Sequence, residues 1–145
     1  MLALSQTAGR GRRGREWWSA KGGLYISFYV RQEKPAELVP LRASLLLCKW
    51  LRHEIGLVST VKWPNDILVG GKKLAGILCE ATFREREVTD LIIGIGLNLS
   101  RINNEQKAEG AVSLEELLGR SFDALVLGAS PRDYWAREWG KERTR

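Results

Sequence analysis

The chain has 145 residues, 44% hydrophobic and 28% charged, which fits one globular domain with a real core and excludes a disordered chain. The longest apolar run, Leu91 to Leu97, is far shorter than the roughly 20 residues of a membrane-spanning helix. The net charge is +6, and most of it is in one place: between residues 10 and 21, Arg10, Arg12, Arg13, Arg15 and Lys21 face only Glu16, a local balance of +4. A nucleic-acid binder usually spreads its cations along a face or helix, whereas here they crowd into one short loop.

The first residues, MLALSQTAGRGRR, place charge after a very short apolar run, the reverse of a secretory signal. The loop GRGRRGR follows, and then Leu24–Val30 (LYISFYV), aromatic and β-branched, predicts a strand. Pro35 and Pro40 bracket a connector. Leu41, Leu45, Cys48, Leu51 and Ile55 fall at helical spacing and Gly56 is a natural stop, so a helix is expected over this stretch. Val58–Trp63 reads as a short strand running into Pro64-Asn65-Asp66. Ile67–Val69 and Leu74–Phe83 read as strands joined by the two-glycine turn Gly70-Gly71-Lys72-Lys73. Arg84 to Glu87 makes the next turn, and Val88–Leu99 is a long apolar strand. Ser113-x-x-Glu116 predicts a capping box opening a short helix that ends near Gly119, and a last helix is expected near Tyr134–Arg143. The fold class is therefore α+β, with a mostly antiparallel sheet and flanking helices.

Cys48 and Cys79 lie in apolar segments without metal-ligand spacing, as reduced core thiols of a cytosolic protein would. His53, the sole histidine, sits late in the main helix between Arg52 and Glu54 and reads as a surface residue. Trp18, Trp50 and the C-terminal tryptophans read as packing. No nucleophile–base pair or metal cluster is present in the sequence, which suits chemistry driven by positioning and electrostatics.

The glycine-rich loop lacks the spacing of either standard nucleotide fingerprint. Its composition still has a logic: glycine lets backbone amides approach phosphate oxygens, and arginine offers planar paired donors to phosphate or carboxylate. Taken alone it could equally be a flexible basic segment. In VKWPND, residues 61–66, a lysine at a strand end, a rigid Trp-Pro step and an Asn-Asp pair put polar side chains at one corner; alone, Asn65 and Asp66 would simply satisfy turn backbone groups. In KLAGIL, residues 73–78, Ala75 and Gly76 are small enough for a ligand to lie against the sheet.

QTAGRGRRGREWWS, GGLYIS, VKWPNDILV, KKLAGIL and GIGLNL occur in that order, and the series resembles the catalytic domain of biotin–protein ligases (biotin–[acetyl-CoA carboxylase] ligase). The resemblance runs from Gln6 to about Leu118. It implies a biotin/lipoate ligase fold of the class II aminoacyl-tRNA synthetase type. It also implies an ATP-dependent, AMP-forming ligase that activates biotin to biotinyl-AMP. The activated group then passes to a lysine of the biotin carboxyl carrier protein of acetyl-CoA carboxylase. Biotin contacts would fall on Gln6, Arg10, Gly11, Arg12, Lys73 and Gly76, and adenylate contacts on Arg12, Arg15, Trp17, Lys62, Asn65, Asp66 and Asn98. Arg10, Lys62 and Lys73 would be the catalytic cations, with magnesium on the phosphates and no protein metal site. A cytoplasmic location, a homodimer and the absence of DNA and membrane partners belong to the same expectation.

The whole chain, residues 1–145, is expected to be one partial catalytic domain. The family's N-terminal helix-turn-helix and C-terminal β-barrel are not expected, and with only five residues before Gln6, nor is its upstream strand. The rival expectations are a lipoate ligase, a basic nucleic-acid module and an inactive chain; VKWPND and KLAGI have no role in the nucleic-acid reading.

Overall fold

In a computed structural model, residues 1–17, 19, 21–31, 36–85, 87–101 and 109–141 are described. Trp18, Pro35, Arg86 and Arg143 of the sequence reading lie outside the described residues. Six strands form one sheet: β1 (Leu2–Ala3), β2 (Gly23–Arg31), β3 (Thr60–Lys62), β4 (Asp66–Val69), β5 (Lys72–Arg84) and β6 (Glu87–Asn98). Their spatial order is β1-β2-β6-β5-β4-β3, and each of these pairings is antiparallel. Three α-helices accompany it: α1 (Val39–Trp50), continued by a π-helical turn over Leu51–Ile55, α2 (Leu114–Leu118) and α3 (Ala124–Lys141). The α+β class expected from the sequence is the class observed.

Alternation makes the sheet two-faced. Leu24, Ile26 and Phe28 of β2 stand opposite Leu97, Ile95 and Ile93 of β6, which stand opposite Ala75, Ile77 and Cys79 of β5. This layer packs with Val39, Ala43, Leu46, Leu47 and Trp50 of α1 and with Tyr134, Trp135 and Trp139 of α3 into one core. The intervening positions, Tyr25, Ser27, Gly76, Leu78, Gly94, Gly96 and Asn98, line a groove on the other face.

Several boundaries differ from expectation for identifiable reasons. A strand stands before Gln6: β1 is only two residues long, but the Met1 amine and carbonyl both bond to Ser27, which fixes its register. Pro40 belongs to the first turn of α1 rather than to a connector, because a proline there removes no helical hydrogen bond. The buried stripe of α1 is Ala43, Leu46, Leu47 and Trp50, while Leu45 is largely exposed, so the helix is rotated from the predicted face to seat Trp50. Gly56 ends the π turn at φ 76°, as its position suggested. Gly70 and Gly71 make the β4–β5 turn at φ 55° and 77°, the left-handed pair that a two-residue hairpin demands.

The capping box at Ser113 and Glu116 is present, and Gly119 closes α2 at φ 65°. The last helix, α3, begins ten residues earlier than expected. The Asp123 carboxylate accepts from the amides of Leu125 (2.9 Å) and Val126 (3.1 Å), an N-cap that Gly128 and Pro131 within the helix obscure in the sequence. His53 is exposed and the thiols of Cys48 and Cys79 are free, as expected.

Trp50 joins the layers: it is fully buried, and its indole N–H donates to the Ser130 hydroxyl of α3 at 3.1 Å. Trp50→Ala should lower unfolding free energy in urea by about 3–5 kcal/mol, with Trp50→Phe losing less than half of that. Equal losses for the two variants would show that the site does not depend on ring packing.

Burial pushes the Cys79 thiol up to about 12 from the ordinary 9.0. Between those values the unfolded chain releases a proton that the folded chain keeps, so this group's stabilising contribution is complete below pH 9 and is lost as pH rises toward 12. Urea melts over pH 8–11 should fall less steeply for Cys79→Ala than for the parent chain; parallel slopes would refute the assignment.

Candidate functional site

The arginine-rich loop is a narrow hairpin. The Gln6 amide donates to the Ser19 carbonyl (3.0 Å), Trp17 to Gly9 (2.9 Å) and Gly11 to Arg15 (2.6 Å), with Arg10 and Glu16 paired across it. A 3-10 turn over Arg12–Gly14 forms the tip, where Arg13 and Gly14 take left-handed φ values of 57° and 72°. A side chain at Gly9 would put its Cβ 2.1 Å from Ser19 Oγ and 2.3 Å from the Trp17 carbonyl oxygen, so only glycine allows the two arms this close.

Gly76 of β5 stands directly opposite Gly96 of β6, and together they form a bare floor. The Trp17 indole lies on that floor: a Cβ at Gly76 would sit 2.8 Å from the ring and one at Gly96 2.7 Å from Nε1. Trp17 Nε1 is buried there without a hydrogen-bond partner. Above the ring, Lys73 Nζ lies 4.8 Å from its centre, a cation over an aromatic face.

Three site cations are held by acceptors of the chain itself. Arg10 pairs with Glu80 at 3.1 Å, Arg12 Nη1 donates to Asn65 Oδ1 at 3.2 Å, and Lys73 Nζ meets Asp66 Oδ1 at 2.8 Å. The Arg10 pair is exposed, whereas the Lys73–Asp66 pair is only 34% and 25% exposed and is the better shielded of the two.

The WPND corner is rigid for reasons that its sequence suggested. Asn65 bonds twice to β5: its side-chain amide donates to the Ile77 carbonyl (2.8 Å), and its own carbonyl accepts from the Ile77 amide (2.9 Å). The buried Ser44 hydroxyl of α1 lies 3.3 Å from the Pro64 carbonyl, tying the corner to the helix. Asn98 lines the groove, but its amide is engaged in the fold. It donates to the Lys73 carbonyl (3.2 Å) and the Val112 carbonyl (3.1 Å), clamping the start of β5 against residues 110–112. Lys62 and Arg15 are exposed at the groove's rim.

The structure brings all twelve sequence-predicted site residues (Gln6, Arg10, Gly11, Arg12, Arg15, Trp17, Lys62, Asn65, Asp66, Lys73, Gly76 and Asn98) to one groove of about 1120 Å³. Residues 1–98 match the model of the Biotin/lipoate A/B protein ligase family, two thirds of the chain. The chain belongs to this family. The bifunctional ligase/repressor BirA of Bacillus subtilis is 37% identical over 130 residues, covering 85% of this chain and 40% of that protein. A biotin–[acetyl-CoA-carboxylase] ligase of Paracoccus denitrificans is 38% identical over 133 residues, covering 85% of this chain and 55% of that one. The chain thus spans about two fifths to just over half the length of these relatives. Among solved structures, the biotin protein ligase from Aquifex aeolicus in complex with biotin and ATP superposes with a TM-score of 0.81 at 32% identity. It covers 97% of this chain and 60% of the other.

Sequence reading of this biotin/lipoate ligase relative missed Tyr25, Glu80 and the glycines at 94 and 96 as groove residues, and Ser19, which is buried behind Gln6. The alternating Gly-Ile-Gly of β6 was the available signal for the floor, since a buried strand with a side chain on one face only implies something lying on the other. Ser19, Tyr25 and Glu80 carry no such signal.

If Trp17 rests on Gly96, Gly96→Ala must displace an indole at the end of a flexible side chain and nothing more. The melting temperature should change by about 2 °C or less, while tryptophan emission shifts to longer wavelength. The same substitution in a Trp17→Phe background should leave emission unchanged; an equal shift in both backgrounds would contradict the placement.

Proposed function

We propose that this chain activates biotin with ATP and passes the acyl group to a lysine of a carrier protein, as a biotin–[acetyl-CoA carboxylase] ligase does. The observation that carries this reading is the union, in one groove, of a glycine floor, a closing hairpin and cations held only by exchangeable partners. A relative that binds biotin and ATP superposes on nearly the whole chain, which supports the same reading.

In the first step a biotin carboxylate oxygen attacks the α-phosphorus of ATP, the bond to pyrophosphate breaks, and biotinyl-AMP forms. Two anions have to approach, so the field of Arg10, Arg12, Lys62 and Lys73 does the main work, stabilising charge as it builds on the phosphoryl oxygens. Lys73 can turn from Asp66, and Arg12 from Asn65, toward an anionic ligand that takes the place of the chain's own acceptor. In the second step the amine of the acceptor lysine attacks the acyl carbon, AMP leaves and the amine's proton is lost to solvent.

The hairpin bearing Trp17 excludes water from the mixed anhydride, which would otherwise hydrolyse. Among the described residues no group of three or more His, Cys, Asp or Glu side chains could hold a metal ion. We assign magnesium to the triphosphate as part of the substrate, in keeping with its reluctance to shed water for a protein cage. No helix among the described residues is long and apolar enough to cross a membrane. A carboxylase carrier would be met in the cytoplasm, and on that ground we place the reaction there.

Incubation of the chain with biotin and magnesium-ATP should yield biotinyl-AMP by mass spectrometry. Lys73→Ala should cut that yield by a factor corresponding to about 2–4 kcal/mol while the melting temperature holds. Undiminished yield in the variant would remove Lys73 from the mechanism.

A further inference from the structure

Charge in the groove is one-sided. Among the described residues seven basic side chains line it against three carboxylates, Glu16, Asp66 and Glu80. Such a field draws in anions, as the first step requires. It repels the acceptor of the second step, because a lysine side chain is positively charged at neutral pH. The acceptor nitrogen also gains positive charge as its bond to the acyl carbon forms. A carboxylate beside the reacting centre would answer both needs.

Position separates the three carboxylates. Glu16 is exposed on the arginine hairpin, across from Arg10. Glu80 is held by both oxygens, 3.1 and 3.5 Å from Arg10 Nη2. Asp66 opens β4 between Lys62 of β3 and Gly76 of β5, level with the bare floor. Its side chain is 25% exposed, and Oδ1 lies 2.8 Å from Lys73 Nζ, which stands 4.8 Å from the centre of the Trp17 ring. On the reading above, Lys73 turns from Asp66 to the acyl phosphate. That movement leaves a carboxylate without its cation next to the bond that must break. A partly shielded carboxylate attracts a replacement cation, and the acceptor ammonium is the one that the reaction brings.

We propose that Asp66 is the catalytic residue that receives the acceptor lysine in the transfer step, a role beyond any contact with the adenylate. The inference rests on the ligase reading above. The ammonium docks against the carboxylate and loses one proton to solvent. The lone pair of the neutral amine attacks the acyl carbon, and the carbon–oxygen bond to the phosphate breaks, its electron pair leaving with AMP. The nitrogen, now cationic, passes its second proton to Asp66, which releases it to solvent. Lys73 and the acceptor thus use one carboxylate in turn, the first before activation and the second after it.

The test supplies the full chain with synthetic biotinyl-AMP and either of two nucleophiles. Nα-acetyl-lysine methylamide is charged at neutral pH, and hydroxylamine is not. Products are measured by mass spectrometry, above the rates without protein. Asp66→Asn should cut lysine acylation about a hundredfold and hydroxamate formation far less, so that the ratio of the two products falls by about tenfold or more. Asp66→Glu should recover part of the lysine rate.

If Asp66 served only to place Lys73, which acts on the acyl phosphate whatever attacks it, both products would fall together. An unchanged ratio in Asp66→Asn would therefore overturn the proposal, as would an Asp66→Glu chain no better than Asp66→Asn. A chain with the expected ratios that makes no biotinyl-AMP from biotin and ATP would count against the proposed activation step while leaving the role of Asp66 standing. A parent chain that speeds neither reaction would overturn both.

Discussion

The open face of β5 and β6 has to stay bare. Gly76 and Gly96 face each other across the ladder, and any Cβ there would occupy the volume that the Trp17 ring now fills. Glycine in the interior of a strand weakens it, by roughly 0.5–1 kcal/mol relative to alanine. The opposite face offsets that cost with an unbroken aliphatic layer, Leu91, Ile93, Ile95 and Leu97, pressed on α1 and α3. The same strand therefore serves as core on one side and binding floor on the other. The hairpin, the WPND corner and the clamp at Asn98 are all placed by their bonds to that sheet or to one another.

Two kinds of polar contact accompany the floor, and they have different physical weight. Asn65 to Ile77, Asn98 to Lys73 and Val112, and Ser19 to Gln6 are neutral bonds in half-buried or buried settings, and each would leave a polar group unsatisfied if broken. The ion pairs of Arg10 and Lys73 are exposed or partly exposed, where such pairs contribute little to stability. The first set holds the shape of the groove. The second keeps cations in place with partners that a ligand can replace at low cost.

Much of this was legible in the sequence because it depends on local chemistry. Gly70-Gly71 in a tight turn, Ser113 and Glu116 in a capping box and Gly56 as a helix stop each follow from a backbone need that few residues meet. That the twelve candidate residues share one groove was legible for a different reason: their motifs resemble a family's, and the fold brings motifs far apart in the chain to one face of one sheet. What could not be read arises from tertiary packing. Trp50 rotates α1 away from its simplest apolar stripe, β1 exists only because Ser27 offers it a register, and Asp123 caps α3 despite the proline that follows. Ser19 was invisible because one buried serine in a loop has no pattern, and only the fold brings Gln6 to it.

The indole resting on the glycine floor acts as an intramolecular competitor. Being tethered to the hairpin, it has a fixed and high effective concentration that dilution cannot lower. The affinity of any guest that lies on the floor is then a net quantity: the contacts that it makes, less those that Trp17 gives up. A guest too small to cover Gly76 and Gly96 leaves the indole where it is and gains nothing from the floor, whereas one with a ring of comparable area takes over its place. The groove thereby discriminates by the area that a guest can cover before any hydrogen bond is compared.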